Sequence, residues 1–226
     1  MKIAILLAGP YRGNQSIIES HYDFIGKYDT YVSCLEHYKN DWENSNWQIT
    51  EIYKTPFVNI TETNWFKYRD DGAGQSGFWQ FWNLRSVIKN TPKKYDFYIK
   101  SRSDLEIQSK LDIDFTKLDS KTLYSSAHSF HKGIWDGYWL NDEFYIGSEY
   151  VMDIVSNFVT DYYKTANRHS LNAAEPTGVG SNENSLRNFL AENGIEIDKI
   201  DNLKYSKNNN GITLPSGYVE FQLEKI

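Results

Sequence analysis

Three short segments of this 226-residue chain hold the residue types that do chemistry. The first, Gly9-Pro10-Tyr11-Arg12-Gly13, is a turn bounded by glycines. Its backbone lets a ligand come close, and the planar guanidinium of Arg12 suits a phosphate or a carboxylate. The same glycines also meet a purely conformational need, because a tight strand-to-helix turn takes glycine whatever it binds. Neither the G-x-G-x-x-G fingerprint of a dinucleotide site nor the G-K-[ST] ending of a P-loop occurs here. The second segment, Lys100-Ser101-Arg102-Ser103-Asp104, sets Arg102 and Asp104 two residues apart, on one side of the chain if it stays extended. An Asp there can hold a divalent cation while Lys100 or Arg102 neutralises phosphate charge; the plain alternative is an Arg–Asp ion pair at a strand end, worth little to stability. In the third, Asp142 and Glu143 are adjacent carboxylates among Trp135, Tyr138, Trp139, Phe144 and Tyr145. Aromatic surroundings strip water from a carboxylate, raise its pKa and make it a useful general base. Alternatively, Asp142 caps a turn and Glu143 faces water. The five His are scattered; only His128 and His131 lie close together, and they read as loop residues.

The elements that must position these segments follow from periodicity. Residues 2–8 are a continuous apolar run stopped by Gly9-Pro10, the pattern of a strand buried on both faces of a parallel sheet. Residues 15–28 carry Ile17, Ile18, Tyr22 and Ile25 at helical spacing, and 30–35 is again strand-like, so the chain opens with a βαβ unit and an α/β sheet is expected. Residues 48–53 alternate as a third strand. Residues 60–77 are polar and Gly-rich and read as a loop. A helix over 78–90, with Phe78, Phe81, Trp82 and Ile88 to one side, stops at Thr91-Pro92. Strand 95–100 then ends in the second segment, and a polar tip beyond the carboxyl end of such a strand is where ligands bind in open α/β sheets. Residues 144–146 read as a strand and Gly147-Ser148 as turn and N-cap. A long helix follows from Glu149, its face marked by Tyr150, Val151, Ile154, Val155, Phe158, Val159 and Tyr162. After a loop at 166–180 come a helix over 183–193, ended by Gly194, and a core strand at 195–197. The tail from Asn208 is turn-rich and expected to be less ordered. With no repeat and no composition break, residues 1–226 read as one domain.

Composition narrows the function. The chain has 7 Trp, 17 Tyr and 12 Phe, 16% aromatic, although all hydrophobics reach only 40%. Tyr and Trp pair an apolar body with a polar edge and so suit a sugar or nucleotide pocket, or else they fill the core of a chain whose mean hydropathy is −0.62. A net charge of −6 without a basic cluster lacks the footprint that duplex nucleic acid demands. The early apolar run fits neither a signal peptide nor a membrane span, and the single Cys34 excludes an internal disulfide framework and a Cys-based zinc site. A soluble, cytoplasmic protein is expected. The sequons at Asn14 and Asn59 carry no weight without secretion.

In this order the segments resemble small glycosyltransferases of the GT-A type, most closely the WavE-type lipopolysaccharide-synthesis proteins and related short viral and bacterial glycosyltransferases. The features that carry the likeness are the Gly-Pro-x-Arg turn, Gln75 and Gln80 before the central strand, that strand running into Ser101-Arg102-Ser103-Asp104-Leu105, and Asn141-Asp142-Glu143-Phe144-Tyr145-Ile146-Gly147-Ser148. The likeness covers about residues 1–200. It implies an α/β, GT-A-like and Rossmann-like fold, with a mostly parallel central sheet and helices on both faces. It also implies transfer of a sugar from a nucleotide-diphosphate donor to a hydroxyl of a glycan acceptor. Gly9, Pro10, Arg12, Gln80, Lys100, Arg102 and Asp104 would then meet the donor, Trp135, Tyr138 and Trp139 the acceptor sugar, and a loop over 68–75 with Gly72 and Gly74 as hinges would close over the site. Asp142, with Glu143 as substitute, would be the base of an inverting reaction. Enzymes of this type end the central strand in Asp-x-Asp, whose last Asp binds Mn²⁺ or Mg²⁺. Here Arg102 stands in place of the first Asp, so either a cation on Asp104 or the guanidinium of Arg102 would stabilise the leaving diphosphate. Three rival readings are a non-catalytic carbohydrate-binding module, a nucleotidyltransferase of similar architecture and a degenerate glycosyltransferase kept as a scaffold; the long helical pattern from Glu149 opposes the first.

Overall fold

The apolar run Ile3–Ala8 forms strand β1, and Ala4, Ile5, Leu6 and Leu7 within it are wholly buried. A strand apolar on both faces needs cover on both. The computed structural model, which describes residues 1–63, 72–126, 143–169, 182–200 and 203–207, supplies that cover. Along the chain follow α1 (Gln15–Phe24), β2 (Asp29–Cys34), α2 (Lys39–Glu43), β3 (Glu51–Lys54), α3 (Gly72–Asn90), β4 (Phe97–Ser101), β5 (Leu105–Ile107), β6 (Thr122–Ser126), β7 (Tyr145–Ser148), α4 (Glu149–His169), α5 (Asn182–Glu192), β8 (Glu196–Ile200) and β9 (Tyr205–Lys207).

Seven strands form one sheet in the order β3-β2-β1-β4-β7-β6-β8, and β5 pairs with β9 in a separate antiparallel ribbon. β1 lies parallel to β2, with Leu7 opposite Val32, and parallel to β4, with Ile5 opposite Ile99. β7 runs against both neighbours, Ile146 lying opposite Ile99 of β4 and Tyr124 of β6, while β8 is parallel to β6. The sheet is therefore mixed and mostly parallel, as expected of an α/β chain. Side chains alternate across it. Ala4 and Leu6 pack with Phe78 and Phe81 of α3, Val155 and Phe158 of α4, and Leu190 of α5. Ile5, Leu7 and Ile99 pack on the other face with Ile18 of α1, Trp42 of α2, and Leu105 and Tyr205 of the ribbon.

Local signals set several boundaries. The Asn14 side chain accepts from the Ile17 N–H at 3.1 Å and starts α1. Ser148, the last residue of β7, accepts from the Val151 N–H at 3.2 Å and caps α4, as its position after Gly147 predicts. Five expectations need correction. Residues 72–77, expected in a loop, belong to α3, so Gly72 and Gly74 fall inside a helix rather than at hinges; anchoring of Phe78 and Phe81 in the core outweighs a helix penalty of about 1 kcal/mol per glycine. Helix α1 stops at Phe24, earlier than expected, and α4 continues to His169. Tyr150, expected in the core, is 53% exposed, because the buried arc runs through Val151, Met152, Val155 and Val159 and leaves Tyr150 outside it. The final core strand expected at 195–197 is β8, an edge strand followed by β9, and only Ile200 within it is buried. Among the described residues, no helix is long and apolar enough to cross a membrane.

Candidate functional site

The chain leaves β1 toward β2 and β3 on one side and returns as β4 on the other. Connections that depart to opposite sides open a crevice beyond the carboxyl ends of the two adjacent strands. The segments Gly9 to Gly13 and Ser101 to Asp104, picked from the sequence for their chemistry, are the extensions of β1 and β4 into that crevice.

Each extension is held from below. The Gly9 N–H donates to the Ser33 carbonyl at 2.8 Å, and the Gly9 carbonyl accepts from the buried Trp42 indole at 2.9 Å. With φ at +93°, this position favours glycine. Gly13 is required for a different reason: a Cβ there would lie 2.5 Å from the Ser103 carbonyl oxygen. The Ser103 hydroxyl ties the extensions together, accepting from the Arg12 N–H at 3.0 Å and donating to the Pro10 carbonyl at 3.3 Å. At the end of β4, the Ser101 hydroxyl meets Nε2 of His21 at 2.8 Å, and Nδ1 of the same ring lies 2.9 Å from the Ile17 carbonyl. A carbonyl only accepts, so Nδ1 carries the proton and Nε2 accepts from Ser101. Burial then drives the His21 pKa down to about 4, against the opposing pull of the Ile17 carbonyl.

The charged centre is Asp104, only 9% exposed. Arg102 grips it with a two-pronged fork, Nε to Oδ1 at 2.8 Å and Nη2 to Oδ2 at 2.7 Å, and Arg12 Nη1 stands 3.8 Å from Oδ2. Burial alone pushes the Asp104 carboxyl up, but the hydrogen bonds and charge of Arg102, aided by Arg12, outweigh it and hold the group below the ordinary carboxylate value. The pair is thus neither fully solvated nor a loose surface contact. The chain turns at Ser103 and Asp104 rather than staying extended, and the turn brings Arg102 and Asp104 together.

Lys100, expected to face a diphosphate, turns inward. In strand alternation it shares a face with Tyr98, opposite Ile99, and only residues past the strand end project from the edge. It is 2% exposed, and its ammonium donates to the Glu143 carbonyl at 3.2 Å and sits 5.2 Å from the centre of the Tyr145 ring. Because β7 is antiparallel to β4, its first residues lie at the same sheet edge as the end of β4, and Lys100 bridges them. Glu143 is buried and does not face water. Gln80 is half-buried on α3, in line with Asn83, Leu84 and Val87, which face the sheet. Asn83 belongs to a buried chain in which its Oδ1 accepts from Thr55, while Ser33 bonds both Thr55 and Ser86. Asp142, Trp135, Tyr138, Trp139, His128 and His131 lie outside the described residues.

Sequence reasoning missed His21, Ser103 and Trp42. His21 stands one helical turn after Ile17 on the apolar side of α1, so its burial was readable, but its partner Ser101, 80 residues away, was not. As for a cation, both oxygens of Asp104 already accept from Arg102, and no group of three His, Cys, Asp or Glu gathers among the described residues. A hard dication wants several anionic oxygens. The described residues do not fit a divalent cation at Asp104.

Cys34, which ends β2, is buried, and that burial, reinforced by the negative charge of Glu36, pushes its thiol up to about 12. Iodoacetamide at mild alkaline pH is expected to label the native chain roughly a thousandfold more slowly than the urea-unfolded chain. Equal rates would mean that the carboxyl end of β2 is open to solvent.

Fold and site together define an α/β protein with an arginine-lined crevice at the carboxyl ends of adjacent parallel strands. No protein-family model matches the chain, and no curated protein matches it either.

Proposed function

We propose that this chain is a glycosyltransferase that moves a sugar from a nucleotide-diphosphate donor to a hydroxyl of a glycan acceptor. The observation that carries the reading is the gathering of Arg12 and Arg102 around one buried carboxylate at the crevice between β1 and β4. An acidic chain needs a local cation where it receives an anion, and the guanidinium fork suits phosphate oxygens. The resemblance to GT-A enzymes supplies the reaction. As the diphosphate leaves, the anomeric carbon becomes cation-like, and a carboxylate on the opposite face takes the proton of the attacking hydroxyl if configuration is inverted. Asp142 is the base in this reading and Glu143 its neighbour; Trp135, Tyr138 and Trp139 are the acceptor platform. Lys100 acts as a positioning residue, holding the Glu143 backbone just ahead of β7. The lone, unreactive Cys34 suits the reducing cytoplasm that this reading assigns to the protein.

The test is release of nucleoside diphosphate from a panel of nucleotide sugars, with and without soluble glycan acceptors. One donor is expected to be consumed and to raise the melting temperature. Asp142→Asn should abolish transfer and leave donor binding nearly intact. If no nucleotide sugar either reacts or shifts the melting temperature, the proposal is wrong.

A further inference from the structure

We infer that the donor's diphosphate is neutralised by a guanidinium pair, Arg12 and Arg102 organised by Asp104, with no divalent cation at that carboxylate. The inference rests on the glycosyltransferase reading and deepens it. A cation in such a site concentrates positive charge where the leaving group's negative charge grows, and preorganised guanidiniums can do the same. Here the carboxylate that would recruit the cation is already taken: the contacts of 2.8 and 2.7 Å from Arg102 occupy one edge of each oxygen. The side chains of Arg102 and Asp104 are 21% and 12% exposed, so water screens the pair far less than it would on an open surface. A dication binding at Asp104 would have to expel Arg102 or stand beside two like charges in a poorly screened crevice.

The arginines are also fixed in advance. Arg12 is anchored through its own N–H to Ser103, the residue between Arg102 and Asp104. The close approach of Gly13 to the Ser103 backbone leaves the two extensions little room to slide apart. Arg102 follows Ser101, whose hydroxyl is held by the buried His21. Asp104 is therefore a positioning residue: it fixes the plane of the Arg102 guanidinium and holds Arg12 nearby despite the mutual repulsion of the two arginines. This places two oriented guanidiniums where a chain of net charge −6, whose overall field repels an anionic donor, has to receive the diphosphate.

The test is calorimetric binding of inorganic pyrophosphate, UDP, GDP and ADP to the full chain, in excess EDTA and in excess Mn²⁺. Affinity is expected to agree between the two conditions within about threefold. Arg12→Gln and Arg102→Gln should each weaken pyrophosphate binding by about 10- to 100-fold. Arg12 touches Asp104 only at 3.8 Å, so its variant reports on the anion even where Arg102→Gln folds poorly. Wild-type binding that disappears in EDTA and returns with Mn²⁺ overturns the inference and leaves the glycosyltransferase reading standing. Failure of all four anions to bind under both conditions defeats the donor reading, and the inference with it.

Discussion

Arg102→Met is expected to destabilise the fold by roughly 3 kcal/mol and to abolish donor binding, whereas the double variant Arg102→Met/Asp104→Leu should regain most of the stability and none of the binding. The single substitution strands a carboxylate that is only 9% exposed, with Arg12 3.8 Å away as the remaining cation beside it among the described residues. An isolated buried charge is costly, and the carboxyl must take up a proton or draw in water. Replacing both partners removes the stranded charge and puts apolar side chains in a partly buried place, an exchange that is often close to neutral. Binding has no such compensation, because half of the guanidinium pair is gone in either variant. Urea midpoints at unchanged slope measure the stability, and pyrophosphate calorimetry measures the binding. A single variant that loses less than about 1 kcal/mol would mean that Arg102 and Asp104 form an ordinary screened surface pair.

The segments that bear this charge were legible in the sequence because parallel strands announce themselves. β1 is an apolar run stopped by Gly9-Pro10, and a strand of that kind is buried on both faces of its sheet, with ligand sites in open α/β sheets lying beyond such carboxyl ends. α4 was legible through its apolar face and through Ser148, which caps it. The ribbon of β5 and β9 was not. Each strand is three residues long, too short to show a period, and the register pairs Leu105 with Lys207 across about half the chain. The reversed direction of β7 was equally hidden, because four residues carry no mark of which way they will pair. The helical start of α3 was obscured by its glycines, whose local preference is overridden by burial farther along the helix.

At the site, residue type and spacing pointed to Arg12, Arg102 and Asp104, but not to what they do to one another. Two residues apart in an extended strand, Arg102 and Asp104 would stand side by side and face the same ligand. The turn at Ser103 instead folds Arg102 onto Asp104. The difference changes the chemistry from a carboxylate awaiting a cation to one that aligns two arginines. Lys100 misled for a related reason. A lysine at the end of a strand reads as a ligand for phosphate, yet strand alternation points it into the core, where the Glu143 carbonyl and the Tyr145 ring receive the ammonium. Such roles depend on which strand lies next to β4, and that neighbour, β7, begins at Tyr145, just past the Glu143 whose carbonyl receives the ammonium.

Stability is expected to fall by about 3 kcal/mol as the pH drops from about 6.5 to about 4, and most of that loss should be traceable to His21. The ring is wholly buried, packs edge-on against Trp47 at 5.0 Å, and is neutral, with Nδ1–H donating to Ile17 and Nε2 accepting from Ser101. Burial lowers its pKa in the folded chain, whereas the unfolded chain titrates as an ordinary His. Between the two values the unfolded state binds a proton that the folded state refuses, so the stability present above pH 6.5 is lost progressively as pH falls through that window. Asp104 behaves differently. Its folded pKa lies below the ordinary carboxylate value, so its contribution is kept until pH falls under about 4, and the two groups act in separate windows. Urea unfolding of the wild type and of His21→Asn at pH 7 and at a pH just above 4 resolves them. The variant should be weaker at pH 7 and much less sensitive to acid; an unchanged sensitivity would assign the loss to other groups. Protonating His21 also disturbs the Ser101 hydroxyl, the residue immediately before Arg102. Pyrophosphate affinity in the wild type should therefore decline over the same interval in which His21 gains its proton, and the decline should be smaller in His21→Asn.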